Sequence, residues 1–259
     1  MKYIDVRLPH ETEFVKIYPF SGWHIGDTHC DLNGIREMIA EVQADKNAYV
    51  ICNGDLMNNA TKTSVSDCYA ETIPPMQQIN LLTELLKPIK DRILMFTQGN
   101  HEARTYRTDG IDLTAIVANN LGALDRYARE GGLLFLRVGT LSRKKSENKQ
   151  VSYTIYCTHG SGGGRKEGAK AIRLADMASI IDADIYIHSH THLPMIMKQS
   201  FFRVDRHNCT GALVEKLFVN TAAQLEYGGY GQSGEFKPST KSNPTILLGG
   251  RKKTYKAKL

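Results

Sequence analysis

Short apolar runs alternate along the chain with longer stretches in which apolar side chains recur every three or four residues. Short apolar runs are typical of buried strands, and the longer spacing is typical of helices with one buried face. The strand-like runs lie at 14–20, 48–52, 93–97, 133–138, 151–157 and 184–187, and the helical stretches at 34–42, 75–86, 111–121 and 169–180. This alternation predicts an α/β fold in which helices cover a mainly parallel sheet.

The last third of the chain departs from this alternation. Apolar stretches at 213–220 and 245–248 indicate further strands, and a polar stretch at 142–150 is expected to join two strands. No sequence repeat and no low-complexity linker divides the chain. We therefore expect a single domain over residues 1–259, with a basic C-terminal tail at about 250–259.

The composition is typical of a globular protein. Hydrophobic residues make up 41% and charged residues 23% of the 259 residues, which provides enough apolar material for a buried core. No apolar run approaches the roughly 20 residues that cross a bilayer, and the charged start of the chain lacks the apolar core of a signal peptide. The five cysteines include no Cys-x-x-Cys pair, which argues against a zinc ribbon or a disulfide framework. We expect a cytoplasmic protein with reduced thiols and no membrane contact.

Positive charge is concentrated in two segments of the chain. The net charge is +6; residues 137–170 carry eight basic and two acidic residues, and residues 250–259 carry five basic residues and no acidic one. Such segments attract polyanions, including nucleic acid. The alternative is that both segments are simply solvated, one as a loop and one as a tail.

Polar residues with metal-binding side chains follow four of the predicted strands. They are Asp55, then Asn100 and His101, then His159, and finally His190 and His192. Ligands of open α/β sheets bind at the carboxyl ends of strands, so these side chains are expected to meet. Imidazole, carboxylate and amide groups together suit divalent transition metals, with Mn²⁺ favoured and Fe, Zn or Ni as alternatives. Since His190 and His192 are two residues apart, each can serve one of two ions that clamp a phosphoryl group.

The order of these motifs resembles the calcineurin-like metallophosphoesterase superfamily. The resemblance extends over about residues 14–195, and its motifs are Gly54-Asp55, Gly99-Asn100-His101-Glu102, Thr158-His159-Gly160 and His190-Thr191-His192. It implies a β-sandwich of two mixed sheets flanked by helices, with a two-metal site at the carboxyl ends of the strands.

The resemblance also implies roles for individual residues. It implies that Asp55 is the carboxylate that bridges both ions and that His192 binds the first ion. The ligands that it implies for the second ion are Asn100, His159 and His190. By the same resemblance, His101 is the catalytic residue that stabilises or protonates the leaving oxygen, and Glu102 orients it.

Two branches of the superfamily match poorly. The protein Ser/Thr phosphatases continue after Gly-Asp with a stretch that ends in Asp-Arg-Gly, whereas residues 56–60 are Leu-Met-Asn-Asn-Ala. The purple acid phosphatases place a tyrosine ligand three residues after the aspartate, where this chain has Asn58. The stretches 58–62 and 159–166 look instead like a group of uncharacterised bacterial and bacteriophage phosphoesterases.

The first motif of the superfamily, Asp-x-His after the first strand, can be placed in two registers. Residues 27–29 are Asp-Thr-His but follow a poor strand, whereas residues 21–24 are Ser-Gly-Trp-His and follow the apolar run at 14–20. We favour the second register, in which Gly22 stands where the superfamily has a metal-binding aspartate. The first ion would then be one carboxylate short, and activity would be impaired.

Three residues near this motif are candidate ligands of the first ion, in addition to Asp55 and His192. The favoured register adds His24, with Asp27 as the nearest carboxylate that could substitute. The other register adds Asp27 and His29. In either register, one of the two histidines is a loop residue.

Cationic residues beside the motifs are candidates for binding the phosphate of a substrate. Arg104 follows the Gly-Asn-His-Glu motif and could pair with a phosphate through two hydrogen bonds. Arg165 and Lys166 follow the glycines of 160–164, whose backbone N–H groups could cradle phosphate oxygens. An ordinary surface or turn role is the alternative for each of them.

These observations predict a di-metal-dependent phosphoesterase in which a metal-bound hydroxide attacks a phosphodiester. The basic segments favour a nucleotide or a nucleic acid as the substrate. Two alternatives stay open. One is a catalytically weakened member that binds a polyanion or a protein partner, and the other is a phosphomonoesterase for small molecules.

Overall fold

Two β-sheets pack face to face in the computed structural model, which describes residues 1–65, 67–141 and 149–259. The described strands are β1 (Lys2–Arg7), β2 (Phe14–Phe20), β3 (Ala48–Asn53), β4 (Ile93–Thr97), β5 (Gly132–Val138), β6 (Val151–Cys157), β7 (Ile185–His188), β8 (Met195–Asp205), β9 (Thr210–Asn220), β10 (Thr245–Gly249) and β11 (Tyr255–Lys258). The described helices are α1 (Leu32–Ala44), α2 (Pro75–Leu86), α3 (Ala103–Asp109), α4 (Leu113–Asn120), α5 (Glu167–Ile180) and α6 (Gly229–Ser233), with 3-10 helices at Lys87–Arg92 and Leu124–Arg126.

Both sheets are mixed. The six-stranded sheet has the order β1-β5-β6-β7-β9-β8, and the five-stranded sheet has the order β11-β10-β2-β3-β4. Of the described strand pairs, five are parallel and four are antiparallel. The predicted fold class, two mixed sheets flanked by helices, is therefore confirmed. Strand–helix alternation alone overstated the parallel character, because hairpins such as β8–β9 and β10–β11 join neighbours directly.

The main core lies between the two sheets. Strand β2 illustrates why, since its side chains alternate: Ile17 is fully buried in the layer between the sheets, and Tyr18 faces the helices on the other side. The six-stranded sheet supplies the facing layer with side chains such as Ile155 and Ile187. Helices α1, α2 and α4 cover the outer face of the five-stranded sheet, and α5 covers the outer face of the other sheet.

Local sequence signals explain several element boundaries. The helical stretch predicted at 111–121 is the shorter helix α4, which begins after Asp112, whose Oδ1 accepts the Ala115 N–H at 3.0 Å. A separate helix, α3, precedes it and ends at Gly110, which adopts φ +72°. Helix α2 has the predicted bounds, Pro75–Leu86.

The C-terminal basic segment contains a strand. Residues Tyr255–Lys258 form β11, which pairs antiparallel with β10 at the edge of the five-stranded sheet. Most of the predicted polar connection at 142–150 lies outside the described residues. All five cysteines are free thiols. Among the described residues, every helix is too short or too polar to cross a membrane.

Truncation of the inter-sheet core should lower the stability of the whole fold. Ile155 is fully buried between the sheets, so we expect Ile155→Ala to lower the free energy of unfolding by about 2–5 kcal/mol. The matched control is Ile180→Ala in α5, where the side chain is 61% exposed and the expected change is within about 0.5 kcal/mol. Urea denaturation followed by circular dichroism measures both. Equal losses in the two variants would contradict this description of the core.

Candidate metal centre

The candidate site lies where strands from both sheets end. Strands β2, β3 and β4 run parallel in one sheet, β6 and β7 run parallel in the other, and the segments after them meet. The side chains that these strand ends bring together are His24, Asp55, Asn100, His159, His190 and His192. The meeting of strand ends from two sheets explains how residues far apart in sequence form one site.

Asp55 is the centre of the cluster. Its carboxylate belongs to two groups of potential metal ligands, one with His24 and His192 and the other with His159 and His190. Within each group, one ligand atom from every residue lies within 4.8 Å of the others. Asp55 Oδ2 lies 3.1 Å from His159 Nε2, and the Asp55 side chain is almost fully buried. One carboxylate thus faces two adjacent positions that could each hold an ion.

The amide of Asn100 completes the second group. Its Oδ1 lies 2.7 Å from His190 Nδ1 and 3.2 Å from His159 Nε2. The other ring nitrogen of His159, Nδ1, donates to the backbone carbonyl of Asn53 at 2.8 Å. That hydrogen bond leaves the Nε2 lone pair of His159 directed at Asp55 and Asn100, which is how metal-binding histidines are usually oriented.

The residues of the first group fit a cation. His24 Nε2 and His192 Nε2 lie 3.3 Å apart, and among the described residues no atom hydrogen-bonds the buried Nδ1 of His24. Burial, with a further contribution from neighbouring imidazoles, lowers the pKa of each ring to about 3, so both are neutral at pH 7. Two neutral imidazoles whose nitrogens converge beside a carboxylate present the donor set that a divalent transition metal prefers.

Charge at the centre is balanced between Asp55 and His159. Burial alone would raise the pKa of Asp55, but the adjacent imidazoles, His159 above all, outweigh it and hold that pKa well below its usual range. Burial would likewise lower the pKa of His159, but the Asp55 carboxylate outweighs it and raises that pKa. Each of these two buried residues therefore favours the charged form of the other.

Four of the clustered residues adopt left-handed backbone conformations. The φ angles are +47° at His24, +53° at Asp55, +58° at His190 and +53° at His192. Non-glycine residues rarely adopt positive φ, and each instance costs of the order of 1–3 kcal/mol. Such strain is concentrated here because sharp turns after the strands aim these side chains inward.

Glu102 supports the loops of the site and does not orient His101 through its side chain. Its Oε2 accepts the backbone N–H groups of Asp55 and Gly99, each at 3.0 Å, and its Oε1 accepts that of Met57 at 2.9 Å. Burial and the charge of Asp55 raise the pKa of Glu102 to about 7. Glu102 therefore joins the loop after β3 to the loop after β4, which corrects the role implied by the resemblance.

Asn58 and Arg104 orient His101. The Nδ1 of His101 lies 2.8 Å from the Asn58 carbonyl oxygen, so Nδ1 carries a proton and donates it there. A guanidinium nitrogen of Arg104 donates to His101 Nε2 at 3.1 Å, and a second donates to the Asn58 carbonyl at 3.0 Å. The backbone N–H of His101 donates to Asp55 Oδ1 at 2.9 Å, which ties this residue to the metal-binding cluster.

Gly22 lies two residues beyond the end of β2, and its surroundings leave little space for a side chain. Its φ is +63°, and a Cβ atom there would lie 3.1 Å from Ala223 Cα and 3.3 Å from Ala223 Cβ. The Gln224 backbone N–H donates to the Gly22 carbonyl at 2.8 Å, which holds the two segments together. The first group consequently contains one carboxylate, that of Asp55.

Asp27 and His29 lie outside both groups. Asp27 Oδ1 accepts the His29 backbone N–H at 2.8 Å and lies 3.3 Å from His29 Nδ1, so this oxygen contacts His29. The imidazole of His29 packs against Gly228, where a Cβ atom would lie 2.2 Å from the ring. The structure therefore brings together the histidine of the favoured register, His24, with Asp55 and His192.

The candidate phosphate-binding cations differ in their positions. Arg104 touches His101 and is partly buried, which places it at the site. Arg165 and Lys166 are exposed, and the Arg165 guanidinium lies over the Phe236 ring at 5.2 Å.

Two residues near the site carried no sequence signal of their own. Asn53 is buried and joins the segments after β6 and β7, because its Nδ2 donates to the Thr158 carbonyl and to Ser189 Oγ, each at 2.8 Å. Lys170 in α5 donates to the carbonyl of Thr191, between the two histidines of the His-x-His motif, at 2.9 Å. Asn53 directly precedes Gly54-Asp55, and that position is the one signal that could have singled it out.

Substitution of Gly22 by aspartate should not restore the missing ligand. We expect Gly22→Asp to lower the free energy of unfolding by about 1–2 kcal/mol, because a side chain disfavours positive φ, with a further loss from the contact with Ala223. Gly22→Ala is the matched control, since it adds the same Cβ atom without a carboxylate. Metal content by elemental analysis should be equal in the two variants. A higher metal content in Gly22→Asp would show that the new carboxylate reaches the first position.

Comparisons with known proteins identify the family of the chain. Residues 22–194 match the family model described as calcineurin-like phosphoesterase, whereas no curated protein matches the chain. Three solved structures also align with the chain, with TM-scores below 0.5. A predicted phosphoesterase, otherwise uncharacterised, from Streptococcus pneumoniae is 15% identical, with a TM-score of 0.37 and coverage of 91% of this chain and 83% of that one.

The other two structures have similarly low sequence identity. Vacuolar Protein Sorting 29 from Cryptosporidium parvum is 14% identical, with a TM-score of 0.44 and coverage of 95% of this chain and 96% of that one. A metallophosphoesterase from Sphaerobacter thermophilus is 10% identical, with a TM-score of 0.40 and coverage of 90% and 83%. The family model matches more than half of the 259 residues of the chain, which therefore belongs to the calcineurin-like phosphoesterase family.

Proposed function

We propose that the protein hydrolyses a phosphodiester with the help of two divalent transition-metal ions, and that its substrate is a nucleotide or a nucleic acid. The observation that carries the proposal is the position of Asp55, whose buried carboxylate is shared by two groups of histidines. A shared carboxylate suits a pair of ions about 3.5–4 Å apart, which is the arrangement that clamps a phosphoryl group in two-metal hydrolases.

Six residues would hold the two ions. The first ion would be bound by His24, Asp55 and His192, and the second by Asp55, Asn100, His159 and His190. Asp27 and His29 have no part in this proposal, because Asp27 is hydrogen-bonded to His29 instead. Mn²⁺ is favoured because the ligands combine imidazole nitrogen with carboxylate and amide oxygen. When bound, such ions polarise the phosphoryl group and lower the pKa of water.

His101 would act on the leaving oxygen through Nε2. Since Nδ1 donates to the Asn58 carbonyl, Nε2 is the ring atom left to meet a substrate. Burial is the main reason that the pKa of His101 falls to about 4, so the resting ring is neutral at pH 7. The negative charge of a bound phosphate favours the protonated ring, in which Nε2–H can be given to the leaving oxygen. Arg104, which holds Nε2 in the resting state, would pair with the phosphate.

The charge of the chain supports a polyanionic substrate. The net charge of +6 draws negatively charged molecules towards the protein, and the Arg104 guanidinium lies beside His101, where a phosphate would be bound. Arg165 and Lys166 are exposed at the start of α5 and would contact only the outer part of an extended substrate.

A second candidate function rests on Gly22. With one carboxylate among the ligands of the first ion and Ala223 packed against the glycine, that ion would be held weakly, and the protein would bind a polyanion or a protein partner without efficient turnover. Assays with bis(p-nitrophenyl) phosphate and p-nitrophenyl phosphate in Mn²⁺ separate these functions. Faster hydrolysis of the diester supports our proposal, faster hydrolysis of the monoester indicates a phosphomonoesterase, and no hydrolysis by the metal-loaded protein favours the binding function.

Removal of the Asp55 carboxylate should remove bound metal. We expect Asp55→Asn and Asp55→Ala to lose most of the metal measured by elemental analysis and most of the rise in melting temperature that Mn²⁺ produces, because a ligand that binds only the native state stabilises it. Asp55→Asn keeps the side-chain shape and an oxygen for the His101 N–H. The control is His10→Ala, which changes an exposed histidine. Wild-type metal content in both Asp55 variants would contradict the two-metal proposal.

Loss of His101 should slow turnover while the metal stays bound. A positioned acid typically contributes about 10²–10⁴-fold, so His101→Ala should lower kcat for the diester by a factor in that range. Its metal content and Mn²⁺-dependent melting temperature should match the wild type. If metal and activity fell together, His101 would be a ligand and not a proton donor.

A further inference from the structure

The β8–β9 hairpin extends beyond the sheet to which it belongs. Strand β7 pairs with β9 only along Leu217–Asn220, whereas β8 pairs with β9 along its full length, from Asn220 back to Thr210. Among the described strands, the outer half of the hairpin therefore pairs with no other strand. Side chains in this outer half can therefore be buried only by residues that pack on one or the other face of the hairpin.

One face of this outer half is apolar and exposed. Phe202 lies opposite Leu213, and Val204 lies opposite Gly211, so all four residues point to the same side. Phe202 is 80% exposed, Val204 69% and Leu213 64%. Side chains alternate along β9, so Leu213 and Leu217 point to the same side of the sheet. Leu217 is buried between the two sheets. Glu215, which pairs with Lys198 at 2.6 Å, lies on the same face between Leu217 and this apolar end, and beyond it Phe202, Val204 and Leu213 are left exposed.

Strand β11 lies beside this face. The Tyr255 hydroxyl donates to the Glu215 carbonyl, which fixes β11 opposite β9. Because β11 is the edge of the five-stranded sheet, no described strand of that sheet lies opposite β8. The unpaired edge of β11 and the exposed face of Phe202, Val204 and Leu213 together form what we call the hairpin corner. A strand added to β11 would cover that face.

The charges at the hairpin corner indicate which strand would fit. Lys256 and Lys258 are exposed on the outer side of β11, alternate with the inward-facing Tyr255 and Ala257, and form no ion pair with a described residue. Residues opposite each other on neighbouring strands interact directly, and opposite charges there are stabilising. A strand beside β11 would therefore be favoured if its outward side chains were acidic and its inward side chains apolar.

We propose that the hairpin corner binds an extended segment of a partner protein, which adds to β11 as a sixth strand of that sheet. Its backbone would pair with the free edge of β11, its apolar side chains would cover Phe202 and Leu213, and its acidic side chains would lie beside Lys256 and Lys258. A second copy that presented its own β11 would place lysine opposite lysine, which is unfavourable. A nucleic acid would use the lysines but would not pair with the backbone edge. This surface does not depend on the proposed function of the metal centre.

The test uses ¹⁵N-labelled protein comprising residues 1–259 and a peptide of alternating glutamate and valine that is capped at both ends. We expect saturable shifts of the amide signals of β11 and of Phe202 and Val204. A peptide with lysine in place of glutamate should bind roughly fivefold to tenfold more weakly, since two cross-strand charge pairs are reversed. The glutamate peptide methylated on its alternate backbone nitrogens should not bind, because it cannot pair with the edge.

Substitutions at exposed positions test the two parts of the surface separately. Phe202→Ser with Leu213→Ser should abolish binding, and Lys256→Glu with Lys258→Glu should reverse the preference so that the lysine peptide binds better. The matched controls are Tyr3→Ser, which changes a side chain 64% exposed on the opposite edge strand β1, and Lys46→Glu, which changes an exposed lysine near the end of α1. Both controls should bind the glutamate peptide as the wild type does.

Four outcomes would overturn the proposal. The first is the absence of saturable shifts in β11, and the second is binding of the glutamate peptide that survives both double substitutions. The third is concentration-dependent dimerisation that Phe202→Ser abolishes, and the fourth is tighter binding of an oligothymidylate, detected at the same amide signals of β11, Phe202 and Val204. The third outcome would make the hairpin corner an interface between two copies, and the fourth would make it a nucleic-acid surface. In the first case the lysines of β11 would only protect an edge strand from unwanted pairing.

Discussion

A carboxylate that is only 1% exposed, like that of Asp55, needs neighbours that replace the water it has lost. His159 supplies a ring nitrogen at 3.1 Å and His101 a backbone N–H at 2.9 Å, and these residues follow different strands. A second buried carboxylate, Glu102, accepts the backbone N–H of Asp55 itself. The negative charge of Asp55 gives the cluster a reason to hold cations, and the hydrogen bonds of Glu102 join the loops after β3 and β4. The need to compensate the buried charge of Asp55 thus brings together loops from both sheets at the edge where the sheets meet.

Much of the fold and the site could be predicted from the sequence because both depend on buried strands. Strands such as β3 and β4 are continuous apolar runs, so the polar residues that follow them are easily seen at the strand ends. Asp55 and Asn100 occur there, and the structure brings both to one cluster. The two mixed sheets flanked by helices were implied by the resemblance to the superfamily, whereas the apolar pattern alone predicted a mainly parallel sheet covered by helices.

The features that the sequence did not reveal depend on long-range contacts or on exposed strands. Strand β1 has a single buried side chain, Ile4, and the outer half of β8 is exposed, so neither has an apolar run. The packing of Ala223 against Gly22 joins positions about 200 residues apart, which no local pattern encodes. The hydrogen bonds of Glu102 go to backbone groups, and a backbone group carries no mark in the sequence. Side-chain chemistry is visible in a sequence, whereas the partner of a side chain often is not.

The left-handed turns at His24, Asp55, His190 and His192 have an evolutionary consequence. A glycine at any of these positions would relieve the local strain, because glycine adopts positive φ without steric cost. Substitution by glycine at one of these positions would therefore remove a candidate metal ligand and relieve backbone strain at the same time. A lineage no longer selected for metal binding would keep this fold and lose these side chains readily. Descendants with an intact fold and no metal ligands are the expected product, and any that persisted would be retained for their surfaces.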